Sequence, residues 1–432
     1  MNTKQHLVIK NLGPIKNCEM DLKKFTVLTG PQAEGKSTIA KVVYYFLCVK
    51  DIFRDNILKN RTGSPLSLEN MINFLRTKFF GTFGSGIVNS NDMHLEYHYK
   101  TDTWIIVTAK ENSFNEFSVA FQFSENFGQL LKENFHSDVS FFESEENNDE
   151  LNKVLKEFFN IDFKPIYIPA GRSTIASLTD YISEIFIRND STENRMIEQN
   201  IGSCVKDYVL LILILRRTFF STEPEHLFDE AMSERSRADK NLIPCFIELA
   251  QKILKGKYFF KKGEEFLITG ENNSIYTKIS FASSGQQEIV WVCNIIFFYL
   301  FQNIPVFLIL EEPEAHLYPD SQKSISDLIS LFVYAGNNAL ITTHSPYILG
   351  EFNNLLFANE VKNSDKEVNL LLKNTRPLPY ENSQAFYISD GIKNEGMEEN
   401  LIRNELIDGA SDDINELNDN LMELKWNAER GV

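Results

Sequence analysis

FTVLTGPQAEGKSTIA, residues 25–40, decides the fold. Phe25, Val27 and Leu28 make a short apolar run, the pattern of a buried strand. Residues 30–37 then satisfy G-x-x-x-x-G-K-[ST], Thr38 follows, and residues 39–47 continue as a helix-forming segment. Strand, loop and helix in that order are the context that gives the motif its meaning. Gly30 and Gly35 let the backbone wrap closely around phosphates, and the loop N–H groups and helix N-terminus supply positive potential. Lys36 adds a point charge for β- and γ-phosphates, and Ser37 offers a hydroxyl to Mg²⁺. A glycine turn that happens to precede a helix is the plain alternative, which the complete motif disfavours. The stretch predicts a nucleoside triphosphate site.

The bulk properties bound what surrounds that loop. A length of 432 residues fits two to three domains, or one large α/β domain with insertions. Apolar residues make up 43% and charged ones 24%, enough to bury a core. No apolar run approaches the roughly 18 residues a membrane helix needs, and the first ten residues carry no apolar signal region. The five cysteines, at 18, 48, 204, 245 and 293, include no C-x-x-C pair, so neither a disulfide framework nor a zinc site is indicated. The expectation is a soluble, reduced, cytoplasmic protein with no membrane contact. The net charge of −17 argues against a surface basic throughout, while leaving room for a local basic groove. Residues 395–432 alone contribute −8, as a solvated acidic face would.

Around the loop, residues 7–9 and 18–22 predict two more strands, with Asn11, Leu12, Gly13 and Pro14 as the turn between them. A polar, mixed region runs to about residue 92. Residues 95–99, 104–108 and 117–123 alternate and are rich in aromatic and β-branched residues, predicting an antiparallel meander. His94 and His98 share one face there, and two histidines alone read as sheet residues rather than a metal site. Residues 164–172 (KPIYIPAGR) predict a strand ending at Gly171 and Arg172. Residues 174–254 are dominantly helical, with 209–215 expected in a bundle or an interface. Lys252, Lys255, Lys257, Lys261 and Lys262 enclose Tyr258, Phe259 and Phe260. That interleaving suits nucleic acid, but a solvated strand edge guarded by lysines is the favoured reading.

The second chemical half begins at SFASSGQQE, residues 280–288, a small-residue loop opening an apolar helix over 289–301. A helix N-terminus there is a second anion cradle or a plain cap. IPVFLIL, residues 304–310, is a continuous apolar run, as expected of a parallel strand buried on both faces. It ends in Glu311, Glu312, Pro313 and Glu314, and carboxylates at the end of such a strand sit where α/β sheets bind ligands. Glu311 suits Mg²⁺, and Glu312 suits orienting or deprotonating an attacking water. NALITT, residues 338–343, is another buried strand, carrying His344 at its end to meet the γ-phosphate.

Taken together, GPQAEGKST, SSGQQE, LILEEPEAHLYP and ITTHSPYIL resemble the marks of an ABC-type ATPase of the OLD/RecF/SMC-like branch. The likeness covers residues 5–48 and 275–350. It implies an α/β ABC-ATPase head with a central, mostly parallel sheet, an antiparallel β lobe and an inserted helical lobe. The expected divisions are 1–173, 174–256, 257–350 and an acidic α/β extension over 351–432. It implies ATP and Mg²⁺ as cofactors, with Gly30, Gly35, Lys36, Ser37 and Thr38 as the Walker A site. Ser283, Ser284, Gly285 and Gln286 become the signature loop, which closes on the phosphate site of a second subunit. Ser37 and Glu311 become metal positions, and Lys36, Glu312 and His344 the catalytic ones. The D-loop falls at residues 314–317. No glutamine stands where a Q-loop would join the lobes, since Gln122 and Gln129 come too early. Arg172 is a candidate replacement, coupling the lobes or sensing phosphate.

The inserted segment is too short for a long coiled coil and lacks zinc-hook cysteines, which excludes a long-armed chromosome organiser. OLD-type relatives often carry a Toprim nuclease with a D-x-D pair. After Pro346 only 86 residues remain, and Asp412 and Asp413 are adjacent instead. That shape is similar to stand-alone ATPases of anti-phage defence pairs such as those of PARIS and Septu. It implies a homodimer or higher homo-oligomer that senses infection and controls a separate nuclease or toxin. A RecF-like repair ATPase that binds DNA directly is the alternative.

Overall fold

The computed structural model describes residues 5–59, 67–111, 117–133, 145–175, 201–221, 232–233, 239–261, 264–269, 275–361, 365–403, 415–419 and 421–422. The first strands are β1 (His6–Leu12), β2 (Ile15–Asp21) and β3 (Phe25–Thr29), followed by β4 (His94–Lys100), β5 (Thr103–Glu111), β6 (Phe117–Phe123) and β7 (Lys164–Ile168). A separate antiparallel sheet holds β8 (Lys257–Lys261), β9 (Glu264–Thr269) and β10 (Ile275–Lys278). The strands β11 (Val306–Glu311), β12 (Asn338–Thr342), β13 (Ser383–Ser389) and β14 (Ile392–Glu395) return to the main sheet. Its order is β6-β5-β4-β1-β2-β14-β13-β3-β12-β11-β7.

The main helices are α1 (Lys36–Lys59), α2 (Leu68–Phe83), α3 (Asn126–Glu133), α4 (Glu145–Phe159), α5 (Ser203–Ser221), α6 (Leu242–Leu254), α7 (Ser284–Gln302), α8 (Pro319–Tyr334) and α9 (Pro346–Glu360). Strand β11 shows why its sequence is apolar throughout. Leu308 and Leu310 enter a core shared with α6, α7, α8 and α9, while Phe307 and Ile309 enter one shared with α1, α2 and α4. Helices on both faces demand apolar residues at every position. Strand β4, by contrast, alternates between buried and half-buried, with helices on one side only.

The expected α/β architecture is therefore present, in a mixed form. The run β13-β3-β12-β11-β7 is parallel. The expected meander of β4, β5 and β6 continues the same sheet through β1 rather than standing as a separate lobe. The stretch taken for a C-terminal extension supplies β13, which pairs with β3 in the middle of the core. The polar region after α1 contains an unforeseen helix, α2. Ser67 caps it by accepting from the Asn70 N–H, and Met71, Leu75 and Phe79 repeat every four residues to form its buried stripe. The 209–215 segment lies on α5 and is only half buried: Val209, Ile212 and Leu215 face the core, while Leu210 and Ile214 are exposed. Of the predicted helical insertion, residues 176–200, 222–231 and 234–238 lie outside the described residues, as do Lys262, Asp412 and Asp413.

Phe386 on β13 is 5% exposed and packs in the same core as α1. Phe386→Ala should cost about 3–5 kcal/mol in urea unfolding, as for a central core phenylalanine. A cost near zero would show that β13 is dispensable to the core.

Candidate functional site

The parallel register builds the site. Thr342 lies beside Leu28, Glu311 beside Thr342, and Tyr387 beside Thr29. One or two residues further along each strand, the chain therefore delivers Gly30, Glu312, His344 and Ile388 to the same end of the sheet. Gly30 has φ +133°, and a Cβ there would stand 2.1 Å from the Ile388 carbonyl oxygen. Gly35 has φ +101°, and a Cβ there would stand 2.2 Å from Ile15 Cδ1. Both the backbone sign and the space call for glycine. Glu34 Oε2 accepts from the Gly391 N–H at 3.0 Å, tying the loop to the turn between β13 and β14.

Lys36 opens α1 and is 4% exposed. Its ammonium donates to the carbonyls of Gly30 (2.9 Å) and Pro31 (2.6 Å). Burial pushes its pKa down to about 8, against the attraction of Glu312, Glu34 and Glu314. Ser37 is exposed, and Thr38 half-buried, on the first turn of the same helix.

Glu311 is buried at the end of β11. Its Oε2 accepts from the Ala170 N–H at 3.2 Å, and its Oε1 has no hydrogen-bond partner among the described residues, although Tyr167 lies close by. Glu312 leaves the strand at φ +43°, with its N–H donating to the Thr342 carbonyl at 2.9 Å. A left-handed non-glycine residue stores about 1–3 kcal/mol and needs its surroundings to hold it. Its Oε1 lies 3.8 Å from His344 Nε2. Burial and the neighbouring Lys36 push the His344 pKa down, against Glu312 and a hydrogen bond with the Gly30 backbone. Glu314 fixes that histidine's backbone: its Oε1 accepts from the His344 N–H (2.7 Å) and from the Thr343 hydroxyl (2.8 Å). Burial raises the Glu314 carboxyl, while those hydrogen bonds pull it down. Lys36, Glu312, Glu314 and His344 thus form one coupled group around Gly30.

The 283–286 segment sits elsewhere. Ser283 is the N-cap of α7, and a capping box joins it to Gln286, so the loop expected there is already the first helical turn. Gln286 Nε2 donates to the Leu254 carbonyl at 2.8 Å. A Cβ at Gly285 would stand 2.5 Å from the His316 carbonyl oxygen, so α7 packs directly on the turn after Glu314. Ser283 and Gln286 hydrogen-bond each other, Gln286 also bonds Leu254, and Gly285 packs on that turn.

Arg172 is fully buried. Its guanidinium donates to the carbonyls of Glu288, Pro169, Glu311 and Glu312. Such an arginine couples elements and is not open to a phosphate, which removes the sensing alternative. Its partner Glu288, the last residue of SFASSGQQE, was missed. An acid near the start of a helix reads as an ordinary solvated residue, and only the fold shows it buried. Gln122 lies on the edge strand β6, and Gln129 bonds Glu133 on α3. His94 and His98 both pair with Glu96, and the described residues hold no group of three metal-ligating side chains. In the lysine cluster, Lys257 and Lys261 lie on the edge strand β8, where Phe260 is buried and the Tyr258 hydroxyl donates to Glu265. Tyr258 and Phe260 thus pack inward, while Phe259, on the opposite face of the strand, is half-buried. No described helix is long and apolar enough to cross a membrane.

No curated protein matches the sequence. Among solved structures, an Smc head bound to the C-winged helix domain of ScpA is 13% identical, covers 90% of this chain and 95% of its own, and has a TM-score of 0.39. The Smc head with an extended coiled coil bound to the C-terminal domain of ScpA, from Pyrococcus furiosus, is also 13% identical, with 91% and 95% covered and a TM-score of 0.40. The SMC head domain from Thermotoga maritima is 10% identical, with 81% and 92% covered and a TM-score of 0.34. The profile of the AAA ATPase domain (AAA_15) matches residues 5–349, most of the sequence. The chain belongs to the AAA ATPase domain family.

Proposed function

We propose that this chain hydrolyses ATP, and that ATP binding joins two copies into a scaffold controlling a separate effector, a nuclease or a toxin, in anti-phage defence. The observation that carries the hydrolytic part is the convergence of Lys36, Glu312 and His344 around Gly30, at the C-terminal ends of three adjacent parallel strands. The residues fit a metal–nucleotide pair. The two glycines open the cradle, and Glu311 Oε1 is a buried carboxylate oxygen without a hydrogen-bond partner among the described residues. Ser37 and Glu311 would hold Mg²⁺, which when bound neutralises charge on the transferring phosphoryl group. Lys36 would exchange its two loop carbonyls for phosphate oxygens, with Thr38 and the loop N–H groups around them. Glu312, half open to solvent, would orient and deprotonate the attacking water, with His344 neutral and beside it.

The dimer is part of the same reading: Ser283 and Ser284 are exposed at the N-terminus of α7, and that helix end would meet the phosphates of a second copy in trans. The alternative, direct clamping of DNA, loses support where Tyr258 and Phe260 pack inward on β8.

Glu312→Gln should lower kcat by about 10²–10⁴-fold with ATP affinity retained, the usual loss for a general base. Turnover at the wild-type rate would remove Glu312 from that role. The native mass of tagged Glu312→Gln, expressed with its flanking genes and purified in ATP and Mg²⁺, tests the rest. A homo-oligomer carrying a second protein supports the scaffold. A bare dimer that gains mass only with DNA supports the repair reading, and a monomer in ATP overturns both.

Lys36 adds a pH signature. With its pKa lowered from 10.5 to about 8, the folded, ligand-free protein holds fewer protons than the unfolded chain between those values. Its contribution to stability therefore rises with pH across that window. ATP needs the charged amine, so the Kd for MgATP should be flat below about pH 8 and weaken above it, with proton uptake on binding. Calorimetry in buffers of different ionisation enthalpy measures that uptake.

A further inference from the structure

We infer that Arg172 is a positioning residue for Glu312 and transmits the state of the α7 N-terminus to that carboxylate; the inference rests on the role given to Glu312 above. The guanidinium joins two groups that share no strand. On one side, Nε donates to the Glu288 carbonyl at 3.0 Å and lies 3.1 Å from its carboxylate. On the other, Nη1 donates to the Glu311 carbonyl at 2.6 Å and Nη2 to the Glu312 carbonyl at 3.0 Å. The remaining Nη1 proton reaches the Pro169 carbonyl at 3.0 Å.

The bond to the Glu312 carbonyl has a specific consequence. Glu312 has the left-handed φ of +43°, and the direction of its carbonyl sets its ψ. Arg172 therefore holds the peptide on one side of Glu312, and the Glu312 N–H bond to Thr342 holds the other. Together they aim the side chain.

Glu288 completes the linkage. Its Oε1 accepts from the Ser173 N–H (2.9 Å) and hydroxyl (2.7 Å), and its Oε2 from the Arg172 N–H (3.0 Å). It lies one turn beyond Ser284 on α7, the helix whose first turn carries residues 283–286. The same turn meets the acids' loop a second time, through Gly285 against His316. A tilt of α7 when its N-terminus engages a phosphate or another chain must move Glu288, the guanidinium and the Glu312 carbonyl together. Lysine has a single donor centre and no planar fork, so it cannot bridge these groups.

The test is steady-state and single-turnover ATP hydrolysis by Arg172→Lys, alone and combined with Glu312→Gln. Arg172→Lys should lose about 10²-fold in kcat, the effect of a misplaced catalytic group, with the Kd for ATP unchanged. In the Glu312→Gln background it should cost nothing further, because residues acting as a unit are not additive. A wild-type kcat in Arg172→Lys, or a full additional loss in the double variant, overturns the inference. If Arg172→Lys does not fold, Glu288→Gln takes its place: a smaller fall in kcat at constant Kd supports the linkage, and no fall overturns it. An inactive wild type, or Glu312→Gln with wild-type turnover, overturns the underlying reading as well. The two failures are thereby distinct.

Discussion

The parallel register of β13, β3, β12 and β11 is the constraint on which the site depends. Pairing of Tyr387 with Thr29, Leu28 with Thr342, and Thr342 with Glu311 brings four strand ends to one level. In a parallel ladder, a slip of one residue would send each following side chain to the opposite face. The two apolar cores oppose such a slip, because Phe307 and Ile309 belong to one and Leu308 and Leu310 to the other. The packing of ordinary aliphatic residues thus fixes the separation of Glu312 and His344.

Electrostatics then set the character of the site. One buried amine faces three carboxylates, Glu312, Glu34 and Glu314, and burial still lowers its pKa. His344 feels the same burial and the same amine, so it loses its proton more readily than a free histidine. An arriving phosphate would meet an amine able to gain charge and an imidazole able to donate or accept. Glu314 serves the arrangement from behind, by holding the His344 backbone.

The loop over residues 30–37 was legible as a glycine-dependent turn because Gly30 and Gly35 answer to local geometry. Strands β11 and β12 were legible because burial on both faces forces an unbroken apolar run. The meander of β4 to β6 announced itself by alternation. Other features depended on partners distant in sequence. Glu288 reads as an ordinary helix-start acid until Arg172 is placed against it. Strand β13 was hidden because SQAFYIS carries no chemical motif and its partner is β3, some 360 residues earlier. Helix α2 had a cap and a four-residue apolar stripe, signals that the surrounding polar residues obscured. Residues 283–286 were placed correctly at a helix start, but the packing of Gly285 on His316 is a matter of tertiary structure.

The pairing of β13 with β3 also governs the order of synthesis. Strand β3 and the loop after it leave the ribosome long before their sheet neighbours, residues 338–342 and 383–389. Contacts so distant in sequence form slowly, and an unpaired central strand exposes edge groups and apolar surface meanwhile. Gly30 closes against Ile388, so the loop takes its final shape only after β13 has emerged, and until then the β3 edge stands unpaired.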